Sequence, residues 1–273
     1  MTGFPALTGP LVLVDGTAGE ITARRFAGGR AVVCSRKAPG KETPNEDAVA
    51  LVPAGPAAGV ALVADGAGGL PGGGRASALA VAALARAVAG AGDEEAALRN
   101  AILNGFEAAN AEVQALATGA ATTLAAVEIA QRQVRPFHAG DSMVLVCGQR
   151  GRIKLQTVSH SPTGYAVEAG LLEEREALHH AERHLVSNMV GTPDMRIEVG
   201  PPVRLAPRDT VLVASDGLFD NLHLEEIVAE IRCGPLEEAA RRLLAAAVTR
   251  MERPVPGQPS KPDDISFVLY RPA

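Results

Sequence analysis

Tryptophan is absent from this chain of 273 residues, and aromatic residues of all kinds make up only 3% of it. A hydrophobic core must therefore be built mainly from Ala, Val and Leu, and aromatic platforms for stacking nucleic-acid bases are not expected. Basic residues are not in excess either, since the formal net charge is −5 at pH 7. This balance lacks the positive surface with which proteins bind nucleic acid or anionic lipid. We therefore expect neither nucleic acid nor a membrane among the partners.

Cysteine is also scarce. Cys34, Cys147 and Cys233 lie in separate segments and form no CxxC pair. A disulfide framework is therefore not predicted, and a reducing compartment is favoured. The N-terminal region has no basic stretch followed by an apolar one, and no apolar run reaches the roughly 18 residues that a membrane-spanning helix needs. These absences predict a cytoplasmic protein.

Short apolar runs bounded by Gly, Pro, Asp or Asn recur along the chain, and this pattern is typical of strands and turns. The segment 53–59, which contains two prolines and two glycines, reads as a hairpin loop between two of the runs. Consecutive strands with short links pair antiparallel. The predicted strands are Leu11–Val14, Ala31–Cys34, Ala48–Val52, Val60–Ala64, Thr122–Ile129, Val134–His138, Met143–Cys147, Ile153–Val158, Thr210–Ala214 and Ile265–Tyr270.

Helices are predicted in two pairs. The first pair is Arg75–Ala89 and a helix that begins after an N-cap at Asp93 and reaches about Ala117. The second pair is Leu224–Ile231 and Leu236–Met251. Blocks of antiparallel strands with separate blocks of helices indicate an α+β fold, in which two antiparallel sheets pack face to face with a helical layer outside each.

One domain is expected to span residues 1–273, with a short N-terminal extension over about residues 1–19. Residues 159–187 stand apart, because they hold four of the six histidines and little apolar periodicity. We interpret this segment as an insertion or flap that covers a surface.

The most informative pattern is an apolar run that stops at Asp-Gly, and it occurs twice. One run ends at Asp65-Gly66 and the other at Asp216-Gly217. A carboxylate at the mouth of a buried strand is held rigidly and lies half out of water, which suits a metal ligand. Taken singly, each Asp-Gly pair is more often an ordinary turn.

Further acids lie near other strand ends. They are Glu46 and Asp47, Asp263 and Asp264, and Asp141, which lies between two predicted strands. If these groups converge, like charges share one pocket and their pKa values rise unless cations neutralise them. Oxygen ligands without His or Cys select Mg²⁺ or Mn²⁺. For Asp141, a structural turn acid and a metal ligand are equally plausible.

At these residues the chain resembles the metal-dependent protein serine/threonine phosphatases of the 2C type. The matching segments follow the family order and extend from about residue 20 to residue 271. They are Asn45–Asp47, Ala64–Gly69, Gly119–Leu124, His138–Ser142, Ser187–Gly191, Ser215–Asp220 and Pro262–Ser266.

The resemblance implies a role for each acid. Asp65 would bridge two metal ions, Mn²⁺ or Mg²⁺, and the carbonyl oxygen of Gly66 would bind one of them. Asp216 and Asp263 would hold the first ion.

Other residues complete the expected site. Glu46 would serve the second ion, Asp47 would orient water from outside the ligand shell, and Asp141 would help to bind a third, weaker ion. The catalytic group would thus be Asp65, Asp216 and Asp47, and a hydroxide bridging the two ions would hydrolyse phosphoserine or phosphothreonine in proteins.

Three positions depart from the family pattern. Glu42 stands where relatives often carry an arginine that grips the substrate phosphate, so Lys41, Lys37 or Arg36 would have to substitute and binding should be weaker. Ala67 stands where some relatives use a histidine to protonate the leaving group. Asp264 replaces the more usual asparagine, and we expect it to face outward or to act from behind the ligands.

The expected partners are phosphorylated proteins, including the substrates of a serine/threonine kinase and the kinase itself. Two alternatives remain open at this point. The chain could be a phosphatase dedicated to a small regulatory protein, such as an anti-sigma antagonist, or a non-catalytic binding module that keeps the same fold.

Overall fold

The apolar runs form strands in the computed structural model, which describes residues 4–67, 72–91 and 95–273. The strands of these residues are β1 (Leu11–Val14), β2 (Thr22–Phe26), β3 (Gly29–Arg36), β4 (Asp47–Pro53), β5 (Ala58–Asp65), β6 (Leu124–Ala130), β7 (Gln133–Ala139), β8 (Met143–Cys147), β9 (Ile153–Gln156), β10 (Glu198–Val199), β11 (Val203–Arg204), β12 (Thr210–Ala214) and β13 (Ile265–Pro272). The helices are α1 (Gly73–Ala89), α2 (Glu95–Gln114), α3 (Pro162–Glu168), α4 (Glu174–Ala177), α5 (Asp216–Phe219), α6 (Leu224–Ile231) and α7 (Leu236–Glu252).

The strands make two antiparallel sheets. The order in the first sheet is β1-β4-β5-β6-β7-β10, and β11 also pairs with β7. The order in the second sheet is β2-β3-β13-β12-β8-β9. The predicted loop does join β4 to β5, and those two strands pair in register from Asp47 opposite Asp65 to Pro53 opposite Gly59.

Alternation along each strand divides the apolar side chains between the two faces of a sheet. In β5, Val63 faces the second sheet, whereas Leu62 packs with α1 and α2. In β12, Val213 faces the first sheet, whereas Leu212 packs with α6 and α7. The layers therefore run helix, sheet, sheet, helix, and this arrangement confirms the predicted α+β sandwich.

Several elements escaped prediction. Strand β2 carries two arginines at the edge of its sheet, so it lacks an apolar run, and β10 and β11 have only two residues each. Helix α2 ends at Gln114, before the predicted Ala117, whose positive φ of 52° is incompatible with a continuing helix. The predicted N-cap Asp93 lies outside the described residues.

Residues 159–187 contain α3 and α4. Ser161 caps α3, because its hydroxyl accepts a hydrogen bond from the Gly164 N–H at 2.9 Å. His160, Ser161 and Thr163 are buried, whereas α4 buries none of its residues. The start of this segment is therefore packed into the protein, and α4 lies at the surface. In the described part of the chain, no helix combines the length and apolar character needed to cross a membrane.

Candidate metal centre

Asp47 and Asp65 form a cross-strand pair at one end of the first sheet. Asp47 is the first residue of β4, and Asp65 is the last residue of β5. Each lies two residues from a valine, Val49 or Val63, that faces the second sheet. Because side chains alternate along a strand, both carboxylates point into the gap between the sheets at its edge.

The second sheet supplies Ser215 and Asp216 at the same edge, directly after β12. The Ser215 hydroxyl donates a hydrogen bond to Asp47 Oδ2 at 2.8 Å and accepts one from the Ser266 N–H at 3.0 Å. The carboxyl groups of Asp65 and Asp216 are within hydrogen-bonding distance of each other. The two Asp-Gly runs therefore converge from opposite sheets.

Glycine is required after both aspartates by close backbone contacts. A Cβ on Gly217 would lie 1.9 Å from the carbonyl oxygen of Asp264, and a Cβ on Gly66 would lie 2.3 Å from the carbonyl group of Gly73. Both distances are far below van der Waals contact. The Asp-Gly pairs thus bring neighbouring backbone segments against the carboxylates.

Burial and mutual repulsion shift the pKa values of the acids in this cluster. The pKa values of Asp47 and Asp65 are raised well above the usual range, chiefly by burial. The neighbouring carboxylates raise both further, while the Ser215 hydrogen bond lowers the pKa of Asp47 in part. Burial and the charge of Asp216 raise the pKa of Asp141 to about 8 and that of Asp263 to about 6. Burial would also raise the pKa of Asp216, but Lys261 and nearby hydrogen bonds hold it below its usual value. Such a cluster is short of positive charge.

The donor set fits divalent cations. Within the described part of the chain, Asp47 Oδ1 and Asp216 Oδ1 are buried and have no N–H or hydroxyl donor. Unpartnered buried carboxylate oxygens are costly unless a cation or an ordered water binds them. The residues are oxygen donors, which suits Mg²⁺ or Mn²⁺.

Lys261 is a member of the cluster that the sequence analysis missed. Its ammonium nitrogen contacts Asp216 and lies 3.0 Å from Asp220 Oδ2 and 3.1 Å from Asp263 Oδ2. Asp220 ends the segment Ser215–Asp220 that resembles the family, but the resemblance implied no role for it. A lysine two residues before Asp263 was the available signal for Lys261.

Glu46 is held by its backbone. Its carbonyl oxygen accepts hydrogen bonds from the Ser77 hydroxyl at 2.5 Å and from the Gly66 N–H at 3.2 Å. Its N–H donates to Asp264 Oδ2 at 2.8 Å. Asp264 is buried, so it does not face outward and instead supports the loop behind the acids.

The three basic candidates for phosphate binding differ in position. The Lys41 ammonium lies 3.0 Å from Glu46 Oε2 and 2.6 Å from Asp264 Oδ2, next to the acids. Lys37 is half-buried in the same loop.

Arg36 lines a different cavity, with Gly19 and residues of α7, so the structure does not bring its side chain to the carboxylates. Side chains two residues apart on a strand lie on the same face of the sheet. Arg36 is two residues after Cys34, which packs with the outer helices, so Arg36 lies on that outer face as well. Glu42 is exposed.

Asp141 lies in the turn between β7 and β8, close enough to Asp216, Asp220 and Lys261 for all three charges to affect its pKa. The preceding residue, Gly140, donates its N–H to His160 Nδ1 at 3.1 Å. The Asn188 side chain also points its amide nitrogen at Nδ1, at 2.9 Å. His160 therefore carries its proton on Nε2, which lies 3.0 Å from Glu198.

His138, His160 and Glu198 have the mutual distances of a metal site, but this tautomer leaves Nε2 of His160 no lone pair for a cation. The group therefore acts as a hydrogen-bonded support for Gly140 and the Asp141 turn.

A cavity of about 340 Å³ adjoins the acids. Asp141, Asp216 and Asp220 form part of its wall. Its other walls come from β8 and β9, from α3 and α4, and from the α5–α6 region, with apolar side chains such as Val158 and Phe219. The carboxylate cluster therefore opens onto a partly apolar groove.

Comparison with known proteins agrees with this geometry. Residues 36–251 match the family described as Protein phosphatase 2C, and the chain belongs to this family of protein serine/threonine phosphatases. A Streptococcus pyogenes protein described as a putative protein phosphatase 2C-type is 31% identical over 115 residues, which are 40% of this chain and 44% of that protein. The chain therefore aligns with less than half the length of this curated relative.

Solved structures match over more of the chain. A Streptococcus agalactiae serine/threonine phosphatase has a TM-score of 0.77 and 25% identity, over 89% of this chain and 99% of that one. The catalytic domain of the phosphatase PstP, solved with two manganese ions, has a TM-score of 0.69 and 27% identity, over 89% and 97%. These matches confirm the family resemblance and the fold that it implied.

Proposed function

We propose that this protein hydrolyses phosphoserine and phosphothreonine esters in proteins with the help of two divalent cations, Mn²⁺ or Mg²⁺. The observation that carries the proposal is the convergence of Asp47, Asp65, Asp216 and Asp263 from both sheets at one edge of the sandwich. The two manganese ions bound by the PstP catalytic domain support the same number here.

Each residue has a proposed part in holding the ions. Asp65 would bridge them, Asp216 and Asp263 would hold one, and Glu46 with the Gly66 carbonyl oxygen would hold the other. When bound, such a pair supplies the positive charge that neutralises a phosphoryl group and makes a water molecule more acidic. A third ion would take Asp141 and Asp216.

The chain itself would orient the reactants. Ser215 fixes Asp47 through Oδ2, which leaves Asp47 Oδ1 available to accept a hydrogen bond from the attacking water. Lys41 can contact the phosphate from the edge of the site, as a single charge without the two-pronged grip of arginine. Ala67 has no proton to give, so water must protonate the leaving alcohol.

The adjoining cavity supports a protein as the substrate. Its volume of about 340 Å³ gives room for residues that flank a phosphorylated side chain. Its walls combine apolar side chains, acids and the arginines Arg175 and Arg183, and such a mixed surface suits a peptide segment. The partners would accordingly be phosphoproteins, such as the substrates of a serine/threonine kinase.

The test compares hydrolysis of p-nitrophenyl phosphate and of a phosphothreonine peptide, with Mn²⁺ and with a chelator. We expect activity only with the metal, and loss of it in Asp65→Asn. Asp209→Asn is the matched control, because Asp209 is also a buried strand-end acid but lies at the opposite end of β12, beside Lys154. An inactive wild-type protein in Mn²⁺ with both substrates would favour the non-catalytic binding module.

A further inference from the structure

Lys261 is a basic residue in the middle of the carboxylate cluster. Its ammonium group contacts Asp216, Asp220 and Asp263 together. Its side chain is 24% exposed, and those of Asp216 and Asp220 are 14% exposed. The ammonium is thus a largely enclosed cation among three acids.

The backbone of Lys261 is fixed on both sides by one buried residue. Asn221 accepts a hydrogen bond from the Lys261 N–H at 2.8 Å, and its amide group donates to the Lys261 carbonyl oxygen at 2.7 Å. The same amide donates to the carbonyl oxygen of Gly217 at 2.8 Å. This arrangement ties Lys261 to the Asp216-Gly217 turn, so the ammonium group is aimed at the acids by the fold.

The ammonium and the proposed first ion need the same oxygens. Asp216 Oδ2 and Asp263 Oδ2 both contact Lys261, while Asp216 Oδ1 has no N–H or hydroxyl donor in the described part of the chain. A divalent ion that takes both Asp216 and Asp263 as ligands would face an ammonium group at close range. Two cations so close repel strongly.

We infer that Lys261 is a built-in counter-ion that competes with the first metal ion for Asp216 and Asp263. This inference rests on the metal centre proposed above. Lys261 stabilises the metal-free protein, and binding of the metal displaces its side chain. The flexible stem of lysine permits this movement while Asn221 holds the backbone. Asp220, which is outside the proposed ligand set for the first ion, remains a partner for the displaced ammonium.

The test uses the full chain, freed of metal with a chelator and then dialysed. Mn²⁺ binding is measured by calorimetry for the wild type and for Lys261→Met, which keeps the length of the side chain but removes its charge. We expect Lys261→Met to bind Mn²⁺ at least about tenfold more tightly, because a positive charge has left the site.

Lys154→Met is the matched control. Lys154 also pairs with a buried aspartate, Asp209, and its side chain is similarly exposed at 29%. Its removal should leave the Mn²⁺ affinity unchanged. Equal affinities of wild type and Lys261→Met would overturn the inference, whereas a wild type that binds no Mn²⁺ would overturn the metal centre itself.

Thermal unfolding gives a second readout that does not depend on activity. In chelator, Lys261→Met should unfold at a lower temperature than the wild type, because the acids have lost their counter-ion. In saturating Mn²⁺ the difference should shrink or reverse. If Lys261→Met does not fold without metal, Lys261→Gln, which retains a hydrogen-bond donor, is measured in its place. A variant as stable as the wild type in chelator contradicts the counter-ion role.

Discussion

Asp264 offers the sharpest test of how the loop that carries Glu46 is held in place. Its Oδ1 accepts the N–H of Ala38, and its Oδ2 accepts the N–H of Glu46, both at 2.8 Å. The Lys41 ammonium lies 2.6 Å from Oδ2. Asp264 is only 2% exposed, so these bonds are shielded from water. Its replacement by alanine removes all three at once.

The cost follows from the groups that are left behind. Two backbone N–H groups lose their acceptor, and each such loss costs about 1–3 kcal/mol when the group is shielded from water. Lys41 keeps Glu46 as a partner and is partly exposed, so its share is at most about 1 kcal/mol. Relief of the repulsion between Asp264 and Asp47 offsets part of the loss. We expect Asp264→Ala to lower the free energy of unfolding by about 2–5 kcal/mol.

Urea unfolding of the metal-free protein measures this change without a contribution from bound cations. The slope against urea should stay constant, and the midpoint should fall. Asp194→Ala, at an exposed position, is the control and should change the stability by less than about 0.5 kcal/mol. An Asp264→Ala protein within about 1 kcal/mol of the wild type would refute the reasoning, because then the loop does not depend on these bonds.

Three further predictions concern single side chains. Ser215→Ala removes the buried hydroxyl that donates to Asp47, so we expect the free energy of unfolding in urea to fall by about 1–3 kcal/mol. We also expect kcat to fall while KM stays the same, and an unchanged kcat would argue against a positioning role. Lys41→Ala should raise KM for a phosphopeptide in steady-state kinetics, and an unaltered KM would exclude Lys41 from the phosphate site. Burial, with the nearby charge of His160, lowers the pKa of His138 from 6.5 to about 4. The unfolded chain therefore binds more protons between these two values, and His138 should cost up to about 3 kcal/mol of stability as the pH falls from 6.5 to 4. His138→Gln should flatten this part of the stability profile, and superimposable profiles would contradict the shift.

The sequence predicted the fold best where apolar runs end at residues that break a strand. Strand β12 begins and ends as predicted, because its five apolar or β-branched residues stop before Ser215-Asp216-Gly217. Strand β2 was not predicted, because its two arginines interrupt any apolar run. A sheet accommodates them because β2 lies at its edge, and this position is known only once the sheet has assembled.

The acids of the candidate site were predictable for a related reason. Asp65 and Asp216 each follow a buried strand and precede a glycine, which the backbone contacts at Gly66 and Gly217 require. The partners of Lys261 and Asp264 were not predictable, because they come from segments that are distant in sequence. Arg36 illustrates the limit, since its position near Lys41 in the chain does not reveal which face of β3 its side chain occupies.

The convergence of Asp65 and Asp216 from different sheets also affects how the rest of the protein tolerates change. Their separation is set by the thickness of the aliphatic layer between the sheets, to which Val63 and Val213 contribute from the same two strands. A bulkier or smaller side chain in that layer would alter the spacing of the two carboxylates without touching either. The dimensions of the interior therefore set the spacing of these two carboxylates, so the metal centre proposed at the edge of the sheets would limit which substitutions the core tolerates.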